Sequence, residues 1–74
     1  MKKENFNIVD VVSSAIKKLG YSKKDKDLFV EFSSGKQYLY HGVPESEFNA
    51  LVNAKSIGQY FQSEIKGEYD STTL

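Results

Sequence analysis

K-Q-Y-L-Y-H-G-V-P, Lys36 to Pro44, holds two tyrosines at i and i+2, the only proline and the only histidine of the chain, with Gly35 just before it and Gly42 inside it. The alternating tyrosines predict a strand, and the Gly-Val-Pro end predicts departure into a helix, so this stretch joins a sheet to a helical half. Immediately upstream, Leu28 to Phe32 alternates too, with Leu28, Val30 and Phe32 on one face and Phe29 and Glu31 on the other. Ser33-Ser34-Gly35 between the two runs suits a three-residue hairpin loop, a type I turn closed by a left-handed glycine. That loop sets the register: Phe32 opposite Lys36, Val30 opposite Tyr38, Leu28 opposite Tyr40. Tyr38 and Tyr40 then share a face with Leu28 and Val30, while Phe29 meets Leu39 on the other side. A two-residue loop would reverse this parity.

Downstream the period changes from 2 to 3.6. Pro44 suits a first helical turn, Glu45 and Glu47 complement the helix dipole, and Phe48, Leu51 and Val52 form an apolar stripe. Ser56 and Gln59 fit a capping box that opens a second helix, with Ile57, Tyr60, Phe61, Ile65 and Tyr69 as its stripe and Gly67 at its frayed end. The tail, residues 70–74 (D-S-T-T-L), lacks periodicity and reads as mobile.

Upstream, Lys23 to Asp27 is a solvated charged turn, and Ile8 to Tyr21 supports two readings. Ile8, Val11, Val12, Ala15, Ile16 and Leu19 fall on one helical stripe, with Gly20 as a stop. Against a helix stand the β-branched Ile8-Val9 and Val11-Val12, the Ser13-Ser14 pair, and the need of a marginal hairpin for a third strand. Residues 1–7, polar apart from Phe6, read as a disordered or loosely docked tail.

Seventy-four residues allow one domain with a small core. Without cysteine there is no disulfide framework and no thiolate metal site, and the ten aromatic rings supply the buried area instead. Ten basic residues, all lysine, balance ten acids, so net charge makes no general case for nucleic acid. The distribution is uneven, with eight lysines against five acids in residues 1–37 and two against five in residues 38–74. No apolar run approaches the ~20 residues of a membrane span, and the N-terminus lacks the apolar centre of a signal peptide. The expectation is a cytoplasmic protein with no membrane partner.

Several short motifs occur together: S-S-x-I-x-x-x-G-Y at Ser13 to Tyr21, L-x-V-x-F at Leu28 to Phe32, Gly35, Y-x-Y at Tyr38 to Tyr40, V-P at Val43-Pro44, and A-x-S-x-G-x-Y-F at Ala54 to Phe61. In order and spacing, over residues 12–69, they resemble the KTSC domain, a module named for its place at the C-terminus of some lysyl-tRNA synthetases and found also as a single-domain bacterial or phage protein. The resemblance implies an extended strand for Ala15 to Ser22, with a bend or bulge at Gly20-Tyr21. It implies no established site; RNA binding is the role suggested for the family.

The expected fold is therefore α+β: a three-stranded antiparallel meander over about residues 13–22, 27–33 and 36–42, then two short helices over about 45–54 and 57–67 on one face. The domain spans 8–69, and the alternative is a helix over residues 8–19.

Catalysis fails on inventory, because His41 is the sole imidazole and no cysteine accompanies it; a Cys-His pair, a Ser-His-Asp triad and a multi-histidine metal site are all discounted. His41 reads as a rim residue at a strand end. The scattered glycines form no phosphate-cradling loop, and no RRM signature is present, so no cofactor or metal is expected. The expectation is a non-catalytic binding module, monomer or weak homodimer. One reading is weak, salt-dependent RNA association through a lysine rim (Lys17, Lys18, Lys23, Lys24, Lys36) and the exposed sheet face. The alternative is protein interaction or self-association through the outer face, where Phe29 and Leu39 form an apolar pair to be covered by Phe6 and Ile8 or by a partner. Tyr38, Tyr40, Val43, Pro44, Ser56, Gly58, Tyr60 and Phe61 are structural positions, the two tyrosines facing the core.

Overall fold

The computed structural model describes residues 7–74. Among the described residues, five strands form one antiparallel sheet in the order of the chain: β1 (Asn7–Asp10), β2 (Ile16–Ser22), β3 (Asp27–Phe32), β4 (Gln37–His41) and β5 (Ser71–Thr73). Between β4 and β5 lie α1 (Glu45–Val52) and α2 (Ile57–Tyr60), the latter continuing into a π-helical segment, Phe61–Ile65. The α+β class and the two helices stand, but the expected three strands are the middle of five.

The central hairpin has the predicted register, Val30 opposite Tyr38, Leu28 opposite Tyr40 and Phe29 opposite Leu39. Gly35 closes its loop at φ 95°, with its N–H donating to Phe32 O and the Phe32 N–H donating to Lys36 O. Tyr40 is accordingly buried in the core with Leu28 and Val30, and Tyr38 packs half-buried against it.

In the N-terminal region the expected strand is present as β2, while the alternative helix and the expected place of the bulge are corrected. Residues 8–19 form no helix: β1 pairs with β2 (Ile8 with Gly20, Val9 with Leu19), and a turn links them. The irregularity of β2 lies between Ile16 and Lys18, and Gly20 sits in regular register opposite Phe29. Lys17 is the extra residue of this bulge, which reverses side-chain parity so that Ile16 and Leu19, three apart, both reach the core at 0% exposure. Asn7, expected in the 1–7 tail, belongs to β1; the rest of that tail, Phe6 included, lies outside the described residues. At the other end, the 70–74 segment expected as a mobile tail contains β5, paired with β4 through Tyr38–Thr73, Leu39–Thr72 and Tyr40–Ser71.

Pro44 stands at the N-cap of α1 in an extended conformation (φ −67°, ψ 153°), one position before the expected first turn, and its carbonyl accepts from the N–H groups of Glu47 and Phe48. Ser56 caps α2 by accepting from Gln59 N at 3.3 Å, half of the expected box. Phe61 and Ile65, four apart on one face of the π-helical segment, both lie in the core, and Lys66 N donates to Phe61 O. With Phe48 and Leu51 these residues cover the inner face of β2, β3 and β4. Tyr21 adds a ring stacked on Phe48 (5.1 Å between centroids, 16° between planes) and a hydroxyl donating to Val43 O.

Candidate functional site at the hairpin end of the sheet

Four aromatic rings meet where the β3–β4 hairpin passes the π-helical segment. Phe32 stands edge-on to Tyr38 (5.6 Å, 79°) and to Phe61 (5.5 Å, 74°), and Tyr40 edge-on to Phe61 (5.4 Å, 81°). Tyr40 and Phe61 are buried, whereas Phe32 and Tyr38 are only half-buried and keep ring surface at a cleft of about 510 Å³. Lys36, from the hairpin, and Lys66, from the end of the π-helical segment, also line this cleft, and both are exposed. Its size falls within the ~300–1,000 Å³ usual for small-ligand sites. Burial, and secondarily the Tyr38 phenol beside it, raises the Tyr40 hydroxyl above its ordinary pKa.

A second groove of about 750 Å³ adjoins the first, sharing Ala15 and Gln62 with it. Here Ser13 and Ser14 face Ser56 and Gly58, motif residues more than 40 positions apart in the chain that the sequence does not place together. Ser13 Oγ accepts from Ala15 N (3.2 Å) and Ile16 N (3.3 Å), which fixes the turn entering β2. Ser33 ties the hairpin loop to the same turn, its Oγ donating to Ser14 O at 3.0 Å and its N–H to Ala15 O at 2.9 Å.

The lysines expected along one rim are split between two ends. Lys23 and Lys24 lie in the β2–β3 turn, whereas Lys17, at the bulge, and Lys36 lie at the opposite end, because successive turns of a meander alternate sides. Lys23 faces Glu45 at 3.8 Å, a surface pair of little energetic weight. Lys66 and Lys55 were missed as site lysines; only the tertiary fold brings them to the two grooves, and no local spacing signals it.

Phe29 and Leu39 do lie on the outer face, in a row running Ile8, Gly20, Phe29, Leu39, Thr72 across all five strands. They are 6% and 8% exposed, a covered pair as one of the two expectations had it. Ile8 accounts for part of the cover: its Cδ1 occupies the space above Gly20 that a Cβ would take.

His41 is more than a rim residue. Nδ1 lies 3.0 Å from Asp27 Oδ1 and Nε2 2.8 Å from Thr72 Oγ1, an alignment of hydroxyl, imidazole and carboxylate that inventory alone had discounted. Its partners come from β3 and β5, the strands flanking β4, and neither groove described above borders it, so the chain reads as a clasp across three strands. Among the described residues no three His, Cys, Asp or Glu side chains converge on a point that would hold a metal ion. No helix among them is long and apolar enough to cross a membrane.

Comparison with known proteins agrees with this fold. A family model described as the KTSC domain matches residues 12–69. An uncharacterised protein of Stutzerimonas stutzeri is 39% identical over 61 residues, covering 82% of this chain and 86% of its own. A lysine–tRNA ligase of Nostoc punctiforme is 41% identical over 64 residues, 86% of this chain but 11% of the ligase. Among solved structures, the crystal structure of a KTSC domain protein from Yersinia pestis superposes with a TM-score of 0.90 at 30% identity, covering 93% of this chain and 97% of the other.

Proposed function

The chain belongs to the KTSC domain family, and from that premise we propose that it is a small, cytoplasmic, non-catalytic binding module that associates weakly with single-stranded RNA at the aromatic cleft. The observation that supports this reading is the company of rings and cations: Phe32 and Tyr38 offer partly exposed faces, with Lys36 and Lys66 lining the same cleft. Base stacking on such rings typically contributes ~1–3 kcal/mol per base and tolerates any sequence, and lysines neutralise the phosphates that flank the base. The relationship to part of a lysine–tRNA ligase is consistent with an RNA partner. The outer sheet face is the weaker alternative for a partner, since Phe29 and Leu39 are already buried.

A salt titration of a labelled single-stranded RNA tests the proposal. Two phosphates neutralised on a single strand give a slope of about −1.4 in log affinity against log salt. Lys36→Glu with Lys66→Glu abolishes binding, while Lys23→Glu with Lys24→Glu, at the far end of the sheet, leaves it unchanged. Absence of binding at low salt, or indifference to the Lys36/Lys66 reversal, overturns the assignment.

A further inference from the structure

The two adjoining grooves differ in chemistry in a way that describes one ligand. The cleft around Phe32 and Tyr38 is aromatic and cationic, with two serines at its margin; the groove beyond Ala15 and Gln62 is richer in hydroxyls (Ser13, Ser14, Ser56, Ser63), beside the apolar Val12 and Ile57 and with Lys55 at its side. A planar apolar group joined to a hydroxyl-bearing, anionic group matches that division, which is the make-up of a nucleotide. We infer that the grooves form a single trough in which the base lies in the aromatic cleft and the ribose in the serine groove, so that the site prefers RNA to DNA of the same sequence. This rests on the reading of the cleft as a single-stranded nucleic-acid site.

Most of the serine hydroxyls hold the groove itself. Ser13 Oγ accepts from two backbone N–H groups, Ser56 Oγ caps α2, and Ser63 Oγ donates to Tyr60 O. Ser14 Oγ and the Gln59 side-chain amide make no hydrogen bond among the described residues, and both residues are exposed in the groove. Each offers a donor and an acceptor, and a ribose 2′-hydroxyl is likewise both. At Gly58 a Cβ would meet Ser13 Oγ at 3.7 Å and Ala15 Cβ at 3.8 Å, ordinary contact distances, so the helix start and the Ser13–Ala15 turn are neighbours beneath the groove. Because the groove is open to water, a deoxyribose leaves these groups solvated rather than stranded, and the discrimination is that of one or two net hydrogen bonds.

Fluorescence anisotropy of the full chain at low salt, with a labelled uridine hexanucleotide and the same hexanucleotide in 2′-deoxyuridine, reads the preference. The expected result is RNA binding about fivefold tighter than DNA. Ser14→Ala with Gln59→Ala, which removes no hydrogen bond within the described fold, lowers RNA affinity to the DNA value and leaves DNA affinity unchanged. Equal binding of the two oligonucleotides by the unaltered protein overturns the ribose assignment while nucleic-acid binding stands. An RNA preference that survives the double substitution overturns the assignment of Ser14 and Gln59. Failure to bind either oligonucleotide overturns this inference and the proposed function together.

Discussion

Glu47 receives two phenol hydroxyls, Tyr60 OH donating to Oε2 at 2.8 Å and Tyr69 OH donating to Oε1 at 3.5 Å. One carboxylate thereby joins α1, α2 and the segment after the π-helical turn. Ionising Tyr60 would lose its hydrogen bond to Glu47 and set two negative charges together, so its pKa is pushed up to about 12 from an ordinary 10.0, with the hydrogen bond as the largest cause. Tyr69 is raised as well, by burial first and then by the Glu47 charge and hydrogen bond. A phenol with a raised folded pKa stabilises the fold fully below its unfolded pKa, so the contribution is intact below pH 10 and is lost as pH rises from 10 through about 12. Glu47→Gln removes the charge while keeping an acceptor. The expected outcome is that tyrosinate absorbance then appears at lower pH and that alkaline unfolding begins earlier; superposable titrations of the two proteins would refute the coupling. The sequence marks Glu47 only as a first-turn acid suited to the helix dipole. Its second role depends on rings 13 and 22 positions later, a separation that no local pattern encodes.

Among the elements, β5 is the least secured, three exposed residues paired only with β4. Backbone bonds from His41 N to Asp70 O and from Leu74 N to Gln37 O hold its ends, and the Asp27–His41–Thr72 chain adds the side-chain link. Thr72→Val keeps shape and β-branching and deletes the hydroxyl. A partly exposed hydrogen bond of this kind is worth ~0.5–1.5 kcal/mol net, so hydrogen-exchange protection of the His41 and Leu74 amides should fall by roughly two- to tenfold. Protection in β3 should not change; an equal loss there would mean that the clasp supports the whole sheet. The same elements show why parts of the fold were legible and others were not. Residues 28–40 announce their hairpin because alternation and a Ser-Ser-Gly loop agree on one register. Residues 8–19 mislead because the bulge at Lys17 puts Ile16 and Leu19, three apart, on one face, which is the spacing of a helix. β5 is silent because Ser-Thr-Thr has no apolar alternation, and its place is set by the open edge of β4. Of the candidate site, the sequence singles out Lys36 as a contact but reads Tyr38, Ser56 and Gly58 as structural positions, and their union with Lys55 and Lys66 is tertiary.

At the scale of the molecule, the family match over residues 12–69 spans β2, β3, β4 and both helices, while β1 and β5 lie outside it. The three expected strands coincide with the span that the family model matches, while the likeness to the Yersinia pestis KTSC protein extends over 93% of the chain and so beyond it. The buried cluster draws on β2 to β4 and the helical half, Val9 of β1 packs against it, and no β5 residue belongs to it. Ordering each residue of β5 costs ~1–2 kcal/mol of backbone entropy, comparable to the ~0.5–1.5 kcal/mol that each of its hydrogen bonds returns, so β5 adds little net stability. Its larger effect is to occupy the β4 edge, beside the buried Leu39 and Tyr40. An unoccupied edge is a template for pairing with another chain. Truncation after Tyr69 should therefore leave the denaturation midpoint nearly unchanged at low protein concentration, yet produce concentration-dependent self-association by light scattering, reversed by a Leu39→Lys substitution that charges the newly opened edge. A truncated chain that stays monomeric would show that β4 needs no such protection, and one that fails to fold would make β5 part of the core after all.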